Sequence, residues 1–236
     1  MDTGTGARRC SGRSQRKIAT LVACGITAAL SAGPAAAFAG PQFNPASGVT
    51  LSGTGGASLF RFDNQTEEVR CTANTASGVV SSATLAGGVV IKFTGCTSSS
   101  PTKADCSVSS KTSGGPAGTI TTATLHGVLG TILPSRVAGL LLLPATSKKW
   151  YTLLGNECTV EAQTTGNVAG VYEPLGHSQS TGKLIFTTKA AGAEQEVRDF
   201  DPSTGGLVVP EFVSFGATGT WELTESLTYS PNLEVT

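Results

Sequence analysis

Short runs that alternate apolar and polar side chains, cut apart by glycine and proline, recur along this 236-residue chain. Their spacing of roughly ten residues is that of a β-sandwich or barrel. Residues 89–94 are the clearest case. Val89, Ile91 and Phe93 fall on one face and Val90, Lys92 and Thr94 on the other, the period of a half-buried strand. Segments 58–62, 107–109, 150–154, 158–162, 168–172, 183–188, 194–200, 207–209 and 220–228 are of the same kind. Residues 137–143 are the most apolar of the chain after the N-terminal region and lie between Pro134 and Pro144, which fits a strand buried on both faces better than a helix. No long segment keeps the apolar period of a helix. The patterns predict an all-β chain, an antiparallel β-sandwich or barrel-like domain.

Residues 1–39 read differently. Arg8, Arg9, Arg13, Arg16 and Lys17 precede an uncharged apolar run over 18–33, which Pro34 ends. The small residues at 35–37 and 37–39 each fit a cleavage rule. An apolar run shorter than the ~20 residues of a spanning helix, placed behind a basic segment, has the order of an export signal. Residues 1–39 are therefore expected to be a cleavable signal peptide. The mature chain would carry no transmembrane span and be secreted or held at the cell surface. Leu21-Val22-Ala23-Cys24-Gly25 imitates a lipoprotein cleavage box, but only residues 18–23 of the run precede Cys24 and the run continues past it. Lipidation there is the lesser reading. Residues 40–56, rich in Gly, Pro, Ser and Thr, read as an extended arm with at most one short strand at 49–51. Residues 57–236 read as a single β domain.

The leader holds five of the 16 Lys/Arg and one of the 16 Asp/Glu, so eleven cations and fifteen acids remain without it. No cluster of cations is left, and nucleic acid is not an expected partner. Cys10 and Cys24 depart with the leader, whereas Cys71, Cys96, Cys106 and Cys158 stay. An even number in an exported chain predicts two disulfides, with three connectivities open. Cys96 and Cys106 flank a polar loop between strand-like runs, where a bridge would staple a hairpin. That pairing leaves Cys71 with Cys158. Zinc prefers close C-x-x-C pairs, and these spacings do not supply them.

Three groups of residues carry candidate chemistry. Gly176-His177-Ser178-Gln179-Ser180 approaches the G-x-S-x-G elbow of serine hydrolases, with Ser180 in place of the last glycine. That elbow needs a strand-to-helix turn, and neither neighbouring segment offers the helix. The only histidines are His126 and His177, the latter adjacent to Ser178. A polar loop is the plainer reading. Residues 199–203 begin like a calcium loop, but Thr204 stands where an EF-hand needs glycine and Pro210 where it needs a glutamate. Glu194, Glu196, Asp199 and Asp201 are the weak calcium candidates. Trp150, Tyr151 and Trp221 have two uses, as a platform for a sugar ring or as packing in the core. No P-loop, dinucleotide fingerprint or zincin motif occurs, so no cofactor is expected.

The segments Ile91-Lys92-Phe93-Thr94-Gly95-Cys96, Cys106, Gly118-Thr119-Ile120-Thr121-Thr122, Leu125-His126-Gly127-Val128-Leu129-Gly130 and Gly155-Asn156-Glu157-Cys158 form a framework. It resembles that of a large group of uncharacterised exported actinobacterial proteins, F-x-G-C…C…G-x-I-x-T…L-x-G-x-L-G…C. The resemblance covers roughly residues 71–160. It implies export and a disulfide-bonded β fold, and it carries no catalytic residue or cofactor. The expectation is an exported, non-enzymatic β-sandwich, a structural or interaction module at the cell envelope or outside the cell. Its partner would be an envelope protein or a glycan. The alternative is a carbohydrate- or calcium-dependent binding module, and a serine hydrolase using Ser178 ranks last.

Overall fold

The computed structural model describes residues 40–62, 67–100, 103–111, 116–156, 161–189, 195–202, 206–214 and 216–236. Every regular element among them is a strand, as the alternation predicts. The first half of the chain gives β1 (Phe43–Asn44), β2 (Thr50–Gly55), β3 (Ser58–Phe62), β4 (Glu67–Cys71), β5 (Ala73–Ser82), β6 (Leu85–Thr94), β7 (Thr97–Ser100), β8 (Lys103–Ser110) and β9 (Ile120–Thr121). The second half gives β10 (Leu125–Leu133), β11 (Val137–Pro144), β12 (Lys149–Gly155), β13 (Glu161–Gly166), β14 (Val168–Glu173), β15 (Gln179–Phe186), β16 (Asp199–Pro202), β17 (Phe212–Ser214) and β18 (Ala217–Val235).

All ladders are antiparallel, and they close. One circuit of eight strands runs β18–β2–β5–β6–β10–β11–β14–β15 and returns to β18. This is a closed barrel with no free edge. A second circuit of eight runs β18–β3–β4–β7–β8–β12–β13–β17 and also returns to β18. Taken in the same sense, the two orders match. The chain passes directly between rings where β2 continues into β3, β4 into β5, β6 into β7, β11 into β12 and β13 into β14. β18 belongs to both, holding β17 and β3 over Ala217–Glu222 and β15 and β2 beyond. Only β10 opposite β8, and β15 opposite β17, are separate strands. Glycine makes two of the passages. Gly95 (φ 62°) and Gly166 (φ 93°) adopt left-handed backbone, and a Cβ on Gly166 would collide with the carbonyl oxygen of Glu211.

One core runs through both rings, and its thickest part is an aromatic layer at their junction. Trp221 stacks on Phe186 at 4.4 Å and on Phe60 at 5.6 Å, and meets Phe93 and Trp150 edge-on. β11 is buried on both faces, as its composition predicts. Leu140 and Leu142 join the main core, while Leu141 points out into a smaller one with Ile132, Ala169, Val197 and Phe200. β16 covers that outer patch and pairs with the far end of β10.

Two expectations need correction. Residues 40–56 are more than an arm, because β2 takes a full place in the first ring and β1 pairs with the end of β18. The hairpin of β7 and β8 forms, but its cysteines do not bridge each other. Cys96 is bonded to Cys71, with Cα atoms 4.0 Å apart. Strand register is the reason. Arg70 lies opposite Thr97 between β4 and β7, and one further step sets Cys71 beside Cys96. Between β7 and β8, Ser98 lies opposite Cys106, and the Val108 amide bonds the Cys96 carbonyl. Cys106 is engaged in a disulfide of its own. Cys158 lies outside the described residues.

Candidate functional site

A cavity lies inside the first ring. Its walls are set by size complementarity between opposite strands. β2 and β5 turn Gly53, Ala76 and Gly78 toward the interior, facing Leu140, Leu142, Leu184 and Phe186 from β11 and β15. The cavity has a volume of about 50 Å³. Ser52, Ser77 and Glu225 stand in its wall, but the surface that the cavity presents is wholly apolar.

Glu225 stands on the inward face of β18. Along that strand Trp221, Leu223, Glu225, Leu227 and Tyr229 fall at every second position, so the pleat carries the carboxylate inside with four apolar or aromatic neighbours. Glu225 is 3% exposed, and neither carboxylate oxygen has a hydrogen-bond partner among the described residues. Gly53 and Gly55 make room for it, since a Cβ on either would run into its oxygens. Burial alone pushes the carboxyl up to about 7, because no cation or donor offsets the loss of water. Asn74 adds to the imbalance. Its Nδ2 donates to the Gly56 carbonyl at 3.1 Å, while its Oδ1 is buried without a partner. A Cβ built on Gly55 would sit 2.7 Å from both Asn74 Oδ1 and Glu225 Oε2, so the two side chains converge over this glycine.

The aromatic layer bounds one end of this space, where Phe186 lines the cavity and carries Trp221 on its other side. Toward the opposite end, one step past Leu227, the Tyr172 hydroxyl donates to that of Tyr229 at 2.5 Å. Burial holds both phenols above their ordinary range.

The candidates named from sequence lie elsewhere. Trp150, Tyr151 and Trp221 are 1%, 4% and 0% exposed, so none offers a ring face to a sugar. Core packing is their use, with Trp150 Nε1 donating to the Gly166 carbonyl at 2.8 Å. Ser178 is exposed on the connection from β14 to β15, which leads into a strand and not into the helix an elbow needs. His126 sits on β10 opposite Leu143. Of the calcium candidates, Glu194 lies outside the described residues, and the Glu196 carboxylate accepts a hydrogen bond from Thr187 Oγ1. Asp199 and Asp201 share the face of β16 opposite Phe200. Among the described residues no three His, Cys, Asp or Glu side chains converge as a metal site, and no helix is long and apolar enough to cross a membrane.

The fold and the site thus define a closed antiparallel barrel with an apolar lumen and one buried acid. Compared with known protein families, characterised proteins and solved structures, the chain matches none.

Proposed function

We propose that the protein is an exported, non-enzymatic β-barrel that acts as a binding module at the cell envelope or outside the cell, with a small lipophilic ligand in the lumen of its first ring. The basic, then apolar, leader over 1–39 supports export. The observation that carries the binding reading is the lumen itself. It is an apolar space inside a closed ring of strands, walled by leucines and Phe186, which suits a lipophilic ligand. An interaction module that docks an envelope protein is the second reading. Leu207 and Val209, exposed at 60% and 64%, favour it.

A panel of small lipophiles added to the purified protein tests the lumen reading. A ligand bound only by the native state raises the melting temperature by mass action. It also changes tryptophan emission, because Trp221 rests on Phe186 of the cavity wall. A panel that leaves both signals unmoved would set the lumen aside and favour the docking surface. Mature protein found in the medium or on the cell surface, beginning after residue 39, is the expected result for export.

A further inference from the structure

Three buried oxygens meet around Gly53 and Gly55 with no donor for them among the described residues: Glu225 Oε1, Glu225 Oε2 and Asn74 Oδ1. Turning the Asn74 amide over would offer its Nδ2 to the carboxylate. It would also break the bond to the Gly56 carbonyl and set Oδ1 against that oxygen. One proton on Glu225 resolves the mismatch, since a neutral carboxyl is an O–H donor and Asn74 Oδ1 is an acceptor in want of one. Nothing nearby compensates the ionised form. β2, β5 and β11 carry no charged residue. Lys92 of β6, Glu173 of β14, Lys183 of β15 and Glu222 of β18 lie on the opposite faces of their strands. The titratable side chains turned inward with Glu225 are the phenols of Tyr229 and Tyr172, which bond each other and which burial keeps neutral.

The strand that seals the carboxylate is lightly packed. Gly53 and Gly55 of β2 cover its oxygens, and β2 otherwise gives the core only the half-buried Leu51. Ladder bonds to β18 and β5 hold β2 in place. Glycine flanks it on both sides, at Gly48 (φ 80°) and Gly56. An element with few apolar contacts opens at a lower free energy than the core around it. An ionised carboxyl with no partner needs water, and displacing β2 alone uncovers both oxygens. We propose that Glu225 is a proton-operated latch on β2. Protonated, it donates to Asn74 Oδ1 and β2 stays seated between β18 and β5. Ionised, with its proton passed to solvent, it draws water in and β2 lifts from its neighbours. The latch works whether or not the lumen is filled.

Amide hydrogen exchange of the purified protein from pH 5 to pH 8 tests the latch, each rate being divided by the intrinsic rate at that pH. Burial holds the carboxyl at about 7, against 4.5 once water reaches it. Opening of β2 should therefore become about 70-fold more favourable over that range, most of it below pH 7. Throughout the range the β2 amides should open more readily than those of the β12–β13 ladder. Glu225→Gln, whose amide donates to Asn74 Oδ1 at every pH, should keep β2 closed to the same degree at pH 5 and pH 8. Carbon-13 NMR of the Glu225 carboxyl in the wild-type protein serves if that variant does not fold, with titration at about 7 expected. Titration at about 4.5 in the folded protein overturns the latch, as does β2 opening that is flat with pH or that keeps its pH dependence in Glu225→Gln. Equal protection of β2 and β12–β13 amides at pH 8 overturns it too, because Glu225 would then act on global unfolding alone.

Discussion

Glu225 is a cost built into the barrel, and its size depends on pH. The free carboxyl titrates at 4.5 and the buried one at about 7. Between those values the folded protein holds more protons than the unfolded chain, so stability falls as pH rises through that window and is flat above it. The shift corresponds to about 3 kcal/mol. No other titratable side chain lines the cavity, so the effect belongs to this group. The difference in unfolding free energy between wild type and Glu225→Gln should therefore change by about that amount from pH 4.5 to pH 8, with the variant gaining at the alkaline end. Parallel profiles for the two proteins would show that the carboxylate is solvated in solution. A companion substitution probes the packing around it. Gly53→Ala puts a Cβ into Glu225 Oε1 and should destabilise the fold by about 1–3 kcal/mol in urea unfolding, and by less in the Glu225→Ala background. The strand that carries Glu225 was legible as the run over 220–228. That the carboxylate packs against Gly53 and Gly55 was not, because those glycines lie about 170 residues away along the chain.

Elements rich in branched and aromatic residues were the legible ones. β6, β11, β12, β14 and the inner part of β18 follow from alternation or from a continuous apolar run. β2 and most of β5 were not visible, since TLSGTG and ANTASG contain almost no strand-forming bulk. Their strand conformation is imposed by neighbours. β2 is paired along its whole length with both β18 and β5, and ladder bonds on two sides override weak local preference. The same smallness that hid these strands makes room for Glu225 between them and β18. Disulfide pairing is hidden from the sequence for a related reason. Nearness in sequence favoured Cys96 with Cys106, whereas the bond follows register between β4 and β7, a relation that sequence spacing does not encode. A non-reducing peptide map should yield Cys71 linked to Cys96. Replacing both by alanine opens a loop with a sequence separation of 25 and should remove about 3.5 kcal/mol on chain-entropy grounds. For a folded unit of this size the melting temperature should then drop by roughly 7–14 °C. A loss below 1 kcal/mol would mean that β4 and β7 hold their register without the covalent tie.

At the scale of the molecule, the two rings are one object. Six of the eight positions pass from ring to ring by unbroken chain or by a single linking segment, and residues 38–236 form one compact unit. The aromatic layer sits at the passage, so neither ring could open without exposing rings that the other packs. β18 strengthens the coupling, since one 19-residue strand supplies ladder bonds to both circuits. Two separately stable barrels would melt in two steps. Shared strands and a shared core predict one. The two tryptophans report on different places, Trp150 on β12 of the second ring and Trp221 at the junction. Trp150→Phe and Trp221→Phe each leave a single emitter, and each variant can be unfolded in urea with fluorescence and far-ultraviolet dichroism followed together. In each variant the two signals should give the same midpoint, with one slope set by the surface of the whole barrel. A Trp150 signal that changes before the dichroism of the remaining strands would show the second ring detaching first. The first ring would then be the autonomous folding unit, and β18 beyond Glu222 its closing strand.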